Sequence, residues 1–202
     1  MLPGGFHFNN NDATGTFMPK YKGHSKKFNS YFNFKLHTMQ TRTVSYKMYA
    51  ILDLYDMHTG FFSKVIEGIS DDDAHNRLNT KANHIAWLTG SLVHERYELA
   101  NELGIDLKQT NNELFADHKG IRDGIQYPTL AIYKNDWQQI SPLLKEGLEN
   151  ITEEQLEKPF VMPGETMNFY DLISFLTYRE ANCIGQIALW RRILGYEAMK
   201  YQ

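Results

Sequence analysis

The sequence predicts an all-α protein, a four-helix bundle. Three observations point there. Four long stretches carry apolar residues at spacings of three and four. Their ends carry residues that start or stop helices. No stretch shows a convincing strand-length alternation, and no repeat of fixed period is visible.

The first predicted helix covers 43–69, with Val44, Met48, Ile51, Tyr55, Phe62, Val65, Ile66 and Ile69 on its inward stripe. It ends near Gly68, and Ser70 is placed to cap the next segment. The second covers 83–103, with Ile85, Leu88, Leu92, Leu99 and Leu103 on one face and Gly104 as its stop. Residues 105–126 read as a polar connection. The third helix covers 128–149, along Leu130, Tyr133, Trp137, Ile140, Leu144 and Leu148. Pro128 suits its first turn, and Pro142 is a place to bend because a mid-helix proline removes a hydrogen bond. Thr152 to Gln155 is a capping-box pattern, and Pro159, Pro163 and Gly164 punctuate a loop. Asn168 caps the fourth helix, 168–194, with Asp171 in its first turn and Gly195 at its end. Its apolar stripe includes Leu172, Leu176, Ile187, Trp190 and Leu194, and it also carries Arg179 and Cys183.

The 202 residues form a bundle domain over 39–202 behind an extension, 1–38, that has six Phe and no sustained period. Two readings of the extension stand: a poorly ordered arm, or sequence upstream of a natural start at Met39. A formal net charge of −3 gives no basic excess for a nucleic-acid partner. There is no apolar run of about 18 residues to span a membrane and no secretory leader pattern at the start. One cysteine, Cys183, excludes an internal disulfide. The expected location is the cytoplasm.

Two segments, NHIAWLTGSLVHERYELANELG (83–104) and FLTYREANCIGQIALWRRILG (175–195), resemble the second and last helices of the DinB-like superfamily of damage-inducible and thiol-transferase-related bundles. The resemblance covers roughly 39–200. It implies an up-down-down-up four-helix bundle, often a homodimer. It also implies a zinc or nickel site built from one histidine on the second helix and two in H-x-x-x-H on the last. Those three positions correspond here to Ser91, Arg179 and Cys183, none of them histidine. The expectation is therefore a degenerate metal site with no cofactor, in a non-catalytic protein that binds a small anion or has a structural role. The alternative is a metal-dependent thiol transferase or hydrolase rewired around Cys183 with His58 and His94 or His84.

Arg179 brings positive charge to a position where the family holds a metal. A cation on an inward stripe needs a partner. Glu95, one turn after Ser91, is the first candidate and Glu98 the reserve. If such a pair is truly buried, losing one member costs about 3–5 kcal/mol. Ser91 is placed to donate to the carboxylate. Arg179 would also favour a Cys183 thiolate, whereas a lone cysteine in a core is more often an inert apolar residue. Trp87, Tyr97, Trp137, Tyr178 and Trp190 read as core or dimer contacts, and Arg191 and Arg192 as charges complementing the end of their own helix.

Overall fold

In the computed structural model the described residues are 44–162 and 164–201; the extension 1–38 lies outside them. Ser45 accepts a hydrogen bond from the Lys47 amide and opens a 3-10 turn, Tyr46–Met48, which feeds α1, Tyr49–Ile66. Gly68 turns the chain in the left-handed region, and Ser70 caps a single turn, α2, Asp71–Ala74. Helix α3 spans Ile85–Glu102. Its cap is His84, whose Nδ1 accepts from the Trp87 amide at 3.0 Å, and Gly104 closes it at φ 85°.

Residues 105–127 do more than connect. They form two 3-10 turns, Asn112–Leu114 and Ala116–His118, and bury Gln109, Phe115 and Tyr127. The rings of Phe115 and Tyr133 close over Gly90 so tightly that a Cβ there would overlap both. Thr129 caps α4, Leu130–Glu149, which runs through Pro142 and starts two residues later than the sequence suggests. The capping box of Thr152 and Gln155 sets α5, Glu153–Leu156.

The predicted loop after α5 is a β-hairpin, which corrects the expectation of no strands. Strand β1, Pro159–Met162, pairs antiparallel with β2, Glu165–Asn168, from Pro159↔Asn168 to Met162↔Glu165. Gly164 takes φ 88° in the turn. Asn168 then accepts from the Asp171 amide at 2.7 Å and starts α6, Phe169–Ile193.

The long helices pack in a ring, α1 on α6, α6 on α3, α3 on α4 and α4 on α1. Side-chain bonds fix their directions. Tyr55 reaches Ser141 and Thr59 receives Trp137, so α4 runs against α1. Tyr97 reaches Asp136 while Gly90 faces Tyr133 and Gly147 faces Leu103, so α3 runs with α4. His58 meets Glu180 and Arg191 meets Val65, so α6 runs with α1. The topology is up-down-down-up. The core between the helices is filled by large side chains, Phe62 stacking on Trp137 at 4.0 Å between centroids.

Candidate functional site

Polar and charged side chains converge where α3 crosses α6. Arg179 comes from the middle of α6. Its Nη2 donates to Ser91 Oγ at 2.8 Å, and its Nη1 is ion-paired with Glu95. The structure thus brings Ser91, Glu95 and Arg179 together, although Ser91 accepts from the guanidinium rather than donating to the carboxylate. Arg179 and Glu95 side chains keep about a quarter of their surface, 24% and 22%. Burial pushes the Glu95 carboxyl up to about 7, against the pull of Arg179 and with help from Glu180.

The reserve partner, Glu98, is exposed on α3 and does not reach Arg179. Cys183 is buried one turn further along α6. Burial raises its thiol above the ordinary value more than Arg179 lowers it, so the expected stabilisation of a thiolate does not prevail.

A second cluster, deeper in the bundle, was not anticipated from the sequence. Arg96 is 2% exposed. Its Nε and Nη2 fork onto the two oxygens of Glu180 at 2.5 and 2.9 Å. Its Nη1 donates to Thr59 Oγ1 at 2.9 Å and Ser141 Oγ at 2.8 Å. The guanidinium carbon lies 3.5 Å from the Trp137 ring centre and 3.9 Å from that of Tyr55. His58 Nδ1 meets the same carboxylate at 3.2 Å. Burial alone would raise the Glu180 carboxyl, but Arg96 and His58 together hold it below its ordinary value.

The signal for this cluster is present in the sequence. Arg96 completes the stripe Leu88, Leu92, Leu99, and Glu180 completes Ile173, Thr177, Ile184, Ile187. Their neighbours, Glu95 and Arg179, were the inward members expected instead.

The other two candidate histidines, His94 and His84, are engaged elsewhere. His94 meets Asn112 at 3.2 Å and stacks on Phe115, and burial lowers its pKa. His84 caps α3 and is pushed down to about 4, first by burial and then by His75 and Arg77. Among the described residues no group of three or more His, Cys, Asp or Glu is arranged to hold a metal ion. Ser91, Arg179 and Cys183 do not fit zinc or nickel either, because a guanidinium offers no lone pair and a neutral serine hydroxyl is a poor ligand for these ions. Beside the two ion pairs, a cleft lined by Tyr55, Leu99, Ile173 and Leu176 holds about 20 Å³, room for roughly one water.

The aromatic residues divide. Trp87, Tyr97 and Trp137 are core, Trp190 donates to the Asn83 carbonyl at 3.0 Å, and Tyr178 is exposed. Arg191 and Arg192 lie in the last turn of α6, as expected. Arg191 does more: it turns inward and donates to the Val65 and Glu67 carbonyls at the C-terminus of α1, while its Nε donates to the Glu197 carbonyl beyond its own helix.

No protein-family model matches the chain, and no curated protein matches it. The comparison with solved structures does find a likeness. YfiT from Bacillus subtilis, described as a probable metal-dependent hydrolase with an unusual four-helix bundle topology, aligns over 73% of this chain and 87% of its own. The TM-score is 0.51 and the identity 10%, so the likeness shows the fold alone. Among the described residues no helix is long and apolar enough to cross a membrane.

Proposed function

We propose that this chain is a DinB-like bundle of the cytoplasm in which an arginine has taken the place of the metal centre, and that it is a non-catalytic protein that binds a small anion at Arg179. The observation that carries this reading is the Arg179 guanidinium, held between Ser91 and Glu95 at the α3–α6 crossing and still about a quarter exposed. A guanidinium so held supplies fixed positive charge and a planar fork of donors suited to a carboxylate or phosphate. Glu95 neutralises it in the resting chain. A carboxyl pushed up to about 7 takes a proton readily, and that step leaves Arg179 free to receive an exogenous anion. The neighbouring cleft of about 20 Å³ holds roughly one water, so an acetate- or phosphate-sized ion must take the space that Glu95 leaves when it is displaced from Arg179.

The test has two parts. Metal content of the purified chain, measured by mass spectrometry, is expected to be far below one zinc or nickel per chain. Acetate and phosphate, titrated at pH 6, are expected to raise the melting temperature of the native chain and not that of Arg179→Gln. An equal rise in both proteins would remove the anion site. A second reading is a metal-dependent thiol transferase or hydrolase using Cys183 with His58 or His94; the description of the structural neighbour as a probable metal-dependent hydrolase favours its hydrolase form alone. One bound metal per chain, lost in Cys183→Ala, would promote it.

A further inference from the structure

Asp123–Gly124 is the one place in the 202 residues where an aspartate or asparagine precedes a glycine. After every other Asp or Asn the next residue carries a side chain. That side chain crowds the approach of the following backbone nitrogen to the carboxyl or amide carbon. Glycine has no Cβ to do so.

The fold leaves this step open. Residues 119–129 carry neither helix nor strand, and 122–126 are all exposed. The Asp123 side chain is 92% exposed. Gly124 stands at φ 74°, and a Cβ built on it would meet nothing within 4 Å. Among the described residues its amide donates no hydrogen bond that would hold it in place. Asp53, Asp56 and Asp136 differ, because each is followed by a residue of its own helix, whose amide is tied into the helical ladder.

One contact opposes the reaction that this step invites. Arg77 Nη1 pairs with Asp123 Oδ1 at 2.6 Å, while its Nε donates to the Ala82 carbonyl at 2.8 Å. The guanidinium therefore anchors the carboxylate to the segment 76–82. A carboxyl group that turns onto the Gly124 nitrogen cannot stay in that pair.

We propose that Asp123 is a site of spontaneous backbone isomerisation, cyclising with the Gly124 amide to a succinimide that reopens as isoaspartate, with Arg77 as the brake. In the first step the Gly124 nitrogen attacks Cγ of the carboxyl group in its acid form. The N–Cγ bond forms, the Cγ–OH bond breaks, and the hydroxyl leaves with the amide proton as water. In the second step water adds to one of the two ring carbonyls, the N–C bond there breaks, and the nitrogen recovers a proton. Opening at Cγ restores aspartate. Opening at the α-carbonyl leaves the chain running through Cβ and Cγ and frees the α-carboxylate. One water leaves and one returns, so the step needs no oxidant, reductant or cofactor.

The consequence is local. Isoaspartate adds one carbon to the backbone and moves the free carboxylate, so Arg77 loses its partner. The Arg122 amide, just before the step, donates to the buried Tyr127 Oη at 3.1 Å. The Tyr127 ring packs on Phe115 and His84. The loop thus loosens ahead of the Tyr127 anchor, and the bundle core keeps its packing. This inference is independent of the anion reading.

The experiment ages the full chain at 37 °C and pH 7 for several weeks, as the native protein, Asp123→Glu and Arg77→Gln. Isoaspartate is read by enzymatic methylation with protein isoaspartate methyltransferase and a labelled methyl donor. It is located by electron-transfer fragmentation of the peptide 123–134. The native chain is expected to accumulate it at residue 123. Asp123→Glu should not, because glutamate would have to close a six-membered ring. Arg77→Gln should accumulate it roughly two- to fivefold faster, the span that releasing an exposed ion pair corresponds to. All three should melt alike before ageing, since the changes lie in an exposed loop and its tether. A native chain with no more label at this position than Asp123→Glu would overturn the proposal. An Arg77→Gln rate equal to the native one would overturn the brake and with it the proposal as stated.

Discussion

Replacing Arg96 by methionine should cost more stability than any change at Arg179, the reverse of the order expected from the sequence. The perturbation keeps an unbranched side chain on α3 and removes one charge. Four hydrogen bonds go with it, two to Glu180 and one each to Thr59 and Ser141. The hydroxyls are not orphaned, because Thr59 also donates to the Tyr55 carbonyl and Ser141 to that of Trp137. Glu180 is the group left in difficulty: a buried carboxylate whose remaining partner is His58. An uncompensated charge of this kind costs about 3–5 kcal/mol. Arg179 and Glu95 keep about a quarter of their surface, water screens the pair, and its loss should cost only about 1 kcal/mol. The assay is urea unfolding followed by far-UV circular dichroism for Arg96→Met, Glu180→Leu, the double variant and Arg179→Ala. The double variant should recover roughly 2 kcal/mol or more of the summed losses, since an apolar pair can replace a buried ion pair at little cost. A loss below about 1 kcal/mol for Arg96→Met, or strictly additive effects, would refute the reasoning.

Four other outcomes are expected. The folded-state pKa of Glu95 is raised from 4.5 to about 7, so the folded chain holds the extra proton in that window and the Glu95 contribution weakens as pH rises through it; Glu95→Gln should flatten the stability slope between pH 5 and 7. Glu180 has the opposite sign: its depressed pKa makes it stabilising above the unfolded value, with the benefit lost as pH falls through the folded one, so Glu180→Gln should show a shallower acid limb in a pH titration of the unfolding midpoint. Gly90→Ala should lose about 1–3 kcal/mol in the same unfolding assay, because the rings of Phe115 and Tyr133 occupy the space of the new methyl. Arg191→Met should leave the Val65 and Glu67 carbonyls without their donor and cost about 1–3 kcal/mol, with faster amide exchange in the last turn of α1.

The four long helices and most of their ends are encoded locally. A 3.6-residue period commits one face to burial, and caps act through bonds to the next few residues. Ser70, Thr152 with Gln155, Asn168 and Gly104 were therefore legible without a fold. The pairing of Arg179 with Glu95 was also within reach, since both positions come from helices that the resemblance set side by side. Which charge goes deepest was settled by tertiary packing alone. Glu95 and Arg96 are consecutive, as are Arg179 and Glu180, and consecutive residues differ by about 100° around a helix. Which of each pair points inward depends on how α3 and α6 are rotated against their neighbours, and that rotation is set by packing across the whole bundle. The same holds for the hairpin 159–168. Its four-residue strands are too short for an alternating pattern, and they exist because each satisfies the other's backbone. Arg191, too, is a helix-end arginine in sequence and becomes a cap for α1 only because α6 runs alongside it. Local chemistry fixed the elements, and long-range packing fixed the orientation of their charged faces.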